Sequence, residues 1–275
     1  MKKEREDVAF QHIYSIKKNL KLLIVANQKM PQKIPKVVYQ TWITRDIHPV
    51  LQERREAMMK INPDYEFRLV TNAEMDQWVN DNFDGDIRDC YNMLSIVTAR
   101  CDFWRYLVLF KNGGIYLDFD SEILRPLGEL IRDEDECIIS GEGCPNCYMQ
   151  WGLITCANHP IFQYLIELIV NEIKEVRFLK RTDLHNTTGP TIFTRAIVDT
   201  HYRSLGGVIY RWGLKRDYDQ TFTLKTGHTY RIYGLEYSGF FLFKHKDAHL
   251  MYEGTGLVHW QKDNSPLFRD EVSFL

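Results

Sequence analysis

Gly113-Gly114-Ile115-Tyr116-Leu117-Asp118-Phe119-Asp120 alternates from Ile115 onward as a strand does. Successive strand residues point to opposite faces, so Ile115, Leu117 and Phe119 enter a core while Tyr116, Asp118 and Asp120 share the other side. Two carboxylates two residues apart at a strand end repel one another unless a cation lies between them. Oxygen-only ligation of this kind suits a hard divalent ion such as Mg²⁺ or Mn²⁺, with phosphate oxygens of a substrate completing the shell. The plainer alternative is an exposed strand end with two solvated aspartates.

The preceding run, Ser95 to Asn112, has apolar residues at Ile96, Val97, Phe103, Trp104, Leu107, Val108 and Phe110, the stripe of a helix packed on a sheet. Gly113-Gly114 stops it, since glycine tolerates the left-handed conformation that helix ends often need. Asp102 and Arg105 are three apart and neighbour each other on the helix; taken by themselves they read as an ordinary surface ion pair.

Helix, double glycine and acidic strand, from Ala99-Arg100-Cys101-Asp102-Phe103-Trp104-Arg105-Tyr106 through Asp120, resemble the sugar-binding DXD region of glycosyltransferase family 32. That group contains yeast initiating mannosyltransferase-like enzymes and bacterial and viral polysaccharide transferases, and the clostridial glucosylating toxins share its core pattern. Ile34-Pro35-Lys36-Val37-Val38-Tyr39-Gln40-Thr41-Trp42 is similar to the family's opening strand, and Asn62 to Val70 to its second. Ile123-Leu124-Arg125-Pro126-Leu127 and Thr188-Gly189-Pro190 also match. Two positions depart from the pattern. Cys101 stands where relatives usually carry serine, and the C-terminal histidine motif is blurred into His259-Trp260-Gln261-Lys262-Asp263-Asn264-Ser265.

The resemblance implies an α/β fold of GT-A type, a Rossmann-like nucleotide-binding mixed sheet flanked by helices. It implies a metal-dependent retaining hexosyltransferase that takes its sugar from a UDP- or GDP-linked donor, with Mn²⁺ or Mg²⁺ as cofactor and a glycan or glycolipid as acceptor, as in polysaccharide biosynthesis. Asp118 and Asp120 would hold the cation, with His259 as a third ligand or as a structural histidine. Asp102 and Arg105 would contact the donor sugar and its phosphate; Gln40, Thr41, Trp42 and Tyr116 would complete the donor site. Trp42 offers an indole face for a nucleobase, or is a buried structural ring. Two alternatives use the same aspartates: a metal-dependent phosphoryl-transfer enzyme or hydrolase, and a catalytically silent sugar-binding relative. The aromatics Tyr148, Trp151, Tyr233 and Tyr237 are candidates for stacking acceptor sugars, or for the core.

The chain has 275 residues, enough for one full domain, and a formal net charge of −2 with no long basic block, so nothing favours nucleic acid as partner. Residues 1–33 read as a charged helical lead-in and 34–275 as a single domain. Leu22 to Ala26 is too short to cross a bilayer, which points to a cytosol, bacterial, viral or host, with any membrane contact made through the acceptor. Oligomeric state is not legible. Of six cysteines only Cys144 and Cys147 have a metal-like gap, and no second pair completes a zinc site, so the thiols read as free and reduced.

From Ile34 to Asp120 strands (Val37 to Trp42, Tyr65 to Val70) alternate with helices (Ile47 to Ile61, Ala73 to Asn82), as in a mostly parallel sheet. Ligands bind at the carboxyl ends of such strands, where Trp42, Asp118 and Asp120 all fall. Further strands are expected at Cys137 to Ser140, Trp151 to Thr155, Thr221 to Leu224, Tyr230 to Tyr233 and Phe240 to Phe243, and helices from Pro160 and near Pro190.

Overall fold

The structure is a computed structural model and describes residues 31–142, 147–177, 183–207, 217–244, 246–251 and 265–269. Apart from Pro31 and Gln32, all of these lie in one unit, Lys33–Leu275.

Three strands form its first half: β1 (Val37–Trp42), β2 (Glu66–Thr71) and β3 (Gly114–Leu117), with β2 and β3 both parallel to β1. Four helices separate β1 from β3. These are α1 (Pro49–Ile61), α2 (Asn72–Asn82), α3 (Gly85–Met93) and α4 (Val97–Asn112). Proline at its first turn and His48, whose ring accepts from Val50 N–H, open α1. Thr71 and Glu74 close a reciprocal capping box at α2. The expected parallel alternation therefore holds in this half.

The second half turns the sheet into a mixed one. After β4 (Glu122–Ile123) and the short α5 (Leu127–Leu130) come β5 (Cys137–Gly141), β6 (Gly152–Thr155), α6 (Pro160–Val176), α7 (Leu184–Thr187), α8 (Pro190–Leu205), β7 (Asp219–Thr223), β8 (Thr229–Leu235) and β9 (Phe241–Leu242). The main sheet runs β2-β1-β3-β6-β5-β8-β7, with β6 antiparallel to β3 and β5, and β7 antiparallel to β8. β4 and β9 make a separate two-stranded ribbon.

Strand alternation sorts the sheet's side chains into two cores. Tyr39, Tyr116, Cys137, Ile139, Leu153 and Ile232 meet the apolar faces of α2, α4, α6 and α8. Val38, Ile115, Leu117, Ile138 and Ile154 meet Met58 of α1, Leu127 and Leu130 of α5, and the segment Tyr237 to Phe241. Tyr148, Trp151 and Tyr237 are all buried in these cores.

The double glycine is demanded by close approach as much as by backbone angle. Gly113 ends α4 at φ 67° and Gly114 follows at φ 111°. A β-carbon on Gly113 would lie 2.7 Å from Ala157 N, and one on Gly114 2.9 Å from Val37 O. β3 is thereby pressed edge to edge against β1.

The strand read through Asp120 stops at Leu117. Asp118 N–H still bonds Trp151 O at 2.8 Å, but Ser121 N–H then folds back onto Asp118 O at 3.0 Å, so Asp118–Ser121 is a turn. Phe119 accordingly leaves the face of Ile115 and Leu117. It packs in a small third core with Leu51, Met251, Trp42, Ile47 and Leu69.

Candidate active site

Because α4 runs back along the sheet before the double glycine, its N-terminal half lies at the carboxyl end of β3. This brings Asp102 and Arg105 beside the aspartate turn. They are 3% and 4% exposed, so the pair is buried and not on the surface. Arg105 Nη2 lies 2.9 Å from Asp102 Oδ1 and 3.2 Å from Asp118 Oδ1. Its Nη1 donates to Gln150 O at 3.0 Å, and its guanidinium sits 4.4 Å from the centre of the Tyr116 ring. Nε, also buried, has no hydrogen-bond partner among the described residues.

Around this guanidinium the polar groups form a continuous chain. Tyr116 OH donates to Asp118 Oδ1 at 2.8 Å, so the hydroxyl of Thr41 donates in turn to the phenol oxygen, 3.2 Å away. Asp102 accepts from Gln150 Nε2 at 3.3 Å and from Thr188 Oγ1 at 3.4 Å. Tyr106 OH donates to Gln150 Oε1, with Thr188 O as a second acceptor 3.1 Å away. Thr188 and Gly189 lead into α8, and here their turn serves to steady Asp102. Cys101 lies beside Thr41, and burial pushes its thiol up to about 11.

The carboxylates outnumber the cations. Burial raises Asp102 to about 7 against the opposing pull of Arg105. Burial, and then the charge of Asp118, raises Asp120 to about 6; Asp118 is raised as well, chiefly by burial. The contacts of Asp118 with Arg105 and Tyr116 both fall on Oδ1, and its side chain is 27% exposed. Two hard oxygen donors in one turn, short of positive charge, fit a divalent cation that takes its other ligands from substrate or water. Among the described residues no group of three or more His, Cys, Asp or Glu side chains forms a cage. His259 lies outside the described residues.

The donor residues expected from β1 divide between the two faces of the sheet. Thr41 joins the Arg105 network. Trp42, on the opposite face, stacks on Phe119 with ring centres 5.4 Å apart and planes at 13°, so one indole face is covered. Gln40 is buried and its Oε1 accepts from Arg55 Nε at 3.0 Å. A cleft of about 680 Å³ along the outer edge of β2, lined by Arg45, Arg55, Arg68 and Trp78, does not include the aspartate turn.

Several neighbours of the site carried no sequence signal. Gln150 is one; Glu142 and Lys244 are others. Glu142 follows β5, and its carboxyl is raised by burial and by the charges of Glu236 and Asp118. Each comes near the site through long-range packing, which no local pattern encodes.

Residues 49–137 match the sequence profile of the family described as "Glycosyltransferase sugar-binding region containing DXD motif". An uncharacterized glycosyltransferase of Acanthamoeba polyphaga mimivirus is 27% identical over 163 residues, 58% of this chain and 61% of that protein. The initiation-specific alpha-1,6-mannosyltransferase of Candida albicans is 24% identical over 202 residues, 60% of this chain and 52% of that protein. Inositol phosphoceramide mannosyltransferase 3 of Schizosaccharomyces pombe is 33% identical over 99 residues, 36% of this chain and 28% of that protein. The solved structure "PaToxG Glycosyltransferase" superposes with a TM-score of 0.51 at 20% identity, covering 69% of this chain and 76% of that one; this is a likeness of fold, of GT-A type. Over these segments the chain is similar to DXD-containing glycosyltransferases, the family match taking in α1 to the start of β5. Its matches span about half to three-fifths of the length of the mimivirus and Candida proteins. Among the described residues, no helix is long and apolar enough to cross a membrane.

Proposed function

We propose that this protein is a metal-dependent retaining glycosyltransferase that moves a hexose from a UDP- or GDP-sugar to a hydroxyl of a glycan or glycolipid. One observation carries the reading. The two elements that the family uses for sugar binding, the Asp102–Arg105 helix and the aspartate turn, meet through a single buried guanidinium at the carboxyl ends of parallel strands. The mannosyltransferase names of the yeast relatives support a hexose donor, and one of them names a glycolipid acceptor.

Asp118 and Asp120 would hold a Mn²⁺ or Mg²⁺ ion. Such an ion, bound to the donor diphosphate, supplies charge neutralisation as the nucleoside diphosphate departs. Asp102, fixed by Gln150 and Thr188, accepts hydroxyls of the donor sugar. Arg105 holds Asp102 and Asp118 in register with each other. Trp42, at the carboxyl end of β1, would stack its indole on the nucleobase. In the transfer step the bond between the anomeric carbon and the phosphate oxygen breaks, and the acceptor oxygen bonds that carbon from the same face. The acceptor proton passes to the released diphosphate, so no separate protein base is required and the anomeric configuration is retained. Its place of action is a cytosol.

A thermal-shift screen of nucleoside diphosphates and nucleotide sugars, with and without Mn²⁺, tests the reading, because a ligand of the native state raises its stability by mass action. A cation-dependent rise with a UDP- or GDP-sugar is expected. No rise with any of them would refute it. Proton NMR of the first product from an α-linked donor should then show an α-linkage; a β-linkage would overturn retention.

A further inference from the structure

In the ribbon beside the site, Glu122 pairs with Leu242 and Ile123 with Phe241, and Leu124 N–H donates to Phe240 O at 2.7 Å. The ladder ends there, and Asp120, two residues before Glu122, and Lys244, two residues after Leu242, leave the same end of the ribbon.

The packing agrees with this placement. Phe243 stacks on Trp151 with ring centres 5.0 Å apart, and Lys244 Nζ lies 5.1 Å from the centre of the Phe243 ring. Trp151 is the residue whose carbonyl holds Asp118 N–H, so both sides of the site are fixed to it. The backbone of this segment is strained. Lys244 has φ 49°, and upstream Glu236, Tyr237, Ser238 and Gly239 run at φ 47°, 50°, 55° and 83°. Left-handed angles at side-chain-bearing residues are costly and persist where the surroundings fix them. Here Tyr237 N–H bonds Ser140 Oγ at 2.9 Å, and its buried hydroxyl reaches Ile138 O and Gly152 O, each at 3.1 Å. The charge of Lys244 opposes the burial-driven rise of three carboxyls, Asp118, Asp120 and Glu142.

Resting on the glycosyltransferase reading, we propose that Lys244 is a diphosphate-binding residue of the donor site, its ammonium held over the Asp118–Ser121 turn to bind a phosphate oxygen of the nucleotide sugar. A lysine serves phosphate as a compact point charge. Before the donor arrives, the same charge lies beside the carboxylates that would take a cation. Removing it therefore acts with opposite sign on the two ligands: the bare cation binds more readily and the diphosphate less.

The test is calorimetric titration of wild type, Lys244→Met and Lys244→Arg with Mn²⁺ alone, and with UDP and GDP in the presence of Mn²⁺. Lys244→Met should bind Mn²⁺ alone at least as tightly as wild type and the preferred diphosphate about tenfold more weakly or worse. Lys244→Arg should recover most of that loss. Unchanged diphosphate affinity in Lys244→Met, while wild type binds, removes the lysine's role and leaves the glycosyltransferase reading standing. A parallel loss of Mn²⁺ and diphosphate binding that arginine does not rescue marks a structural role and also overturns the proposal. Wild type binding neither UDP nor GDP with Mn²⁺ overturns both.

Discussion

Arg105 Nη2 lies 3.2 Å from Asp118 Oδ1 and 2.9 Å from Asp102 Oδ1, so one buried guanidinium nitrogen ties α4 to the aspartate turn. Removing one partner of a buried ion pair leaves an uncompensated charge, at a cost of about 3–5 kcal/mol. Arg105→Met should therefore lose stability on that scale in urea denaturation, and the double variant Arg105→Met, Asp102→Asn should recover part of it. A single variant as stable as wild type would show that the pair is not the joint described here.

Trp42 and Phe119 are stacked across two elements, which makes Trp42 a wall of the small third core; the proposed function gives its ring a second task at the nucleobase. Trp42→Ala should weaken binding of a bare nucleoside diphosphate by about 1–3 kcal/mol, whereas Trp42→Phe should keep most of it. Calorimetric titration reads the difference. Equal affinities in wild type and Trp42→Ala would assign the ring to packing alone.

His159 gives the fold a pH dependence away from the site. It is fully buried, its Nδ1 accepts from Ile161 N–H at the start of α6, and its Nε2–H donates to Thr229 O at 3.1 Å. Burial lowers its pKa from 6.5 to about 4. A folded-state value below the unfolded one means stability that is complete above the unfolded value and is lost as pH falls through the folded one. The window runs from about pH 6.5 down to about pH 4, and a shift of this size is worth about 3 kcal/mol. His159→Asn keeps a helix-capping acceptor but does not titrate. Its stability in urea should fall less steeply than that of wild type across this window; parallel curves would contradict the assignment.

The sequence pattern from Gly113 to Asp120 made the site legible because its constraints are local. A double glycine, a strand and two aspartates lie within eight residues. The same pattern overstated the strand, since the turn at Asp118–Ser121 depends on Trp151, a long-range partner. Asp102 and Arg105 read as an exposed pair by spacing alone; their burial comes from Gln150 and Thr188, which packing brings in from the second half. The helix α3 went unread, with Asp84 and Gly85 at its start giving no side-chain cap. Lys244 had no signal at all, because its place at the ribbon's end, two residues past Leu242, exists only through the pairing of β9 with β4.

Asp120 is the residue on which the central claim rests. Burial raises its carboxyl to about 6, and Ser121 Oγ donates to it at 3.3 Å while no guanidinium or ammonium among the described residues forms an ion pair with it, so it is available to a cation that the site's excess of carboxylates favours. Asp120→Asn keeps the shape and removes the charge. The most direct measurement is release of nucleoside diphosphate from UDP- and GDP-hexoses by EDTA-stripped wild type and Asp120→Asn, each before and after addition of Mn²⁺. The account predicts that wild type turns over with at least one donor only after Mn²⁺ is restored, and that Asp120→Asn, with an unchanged melting temperature, loses most of that activity. Near-wild-type turnover by Asp120→Asn, or wild-type turnover undiminished by EDTA, would contradict it.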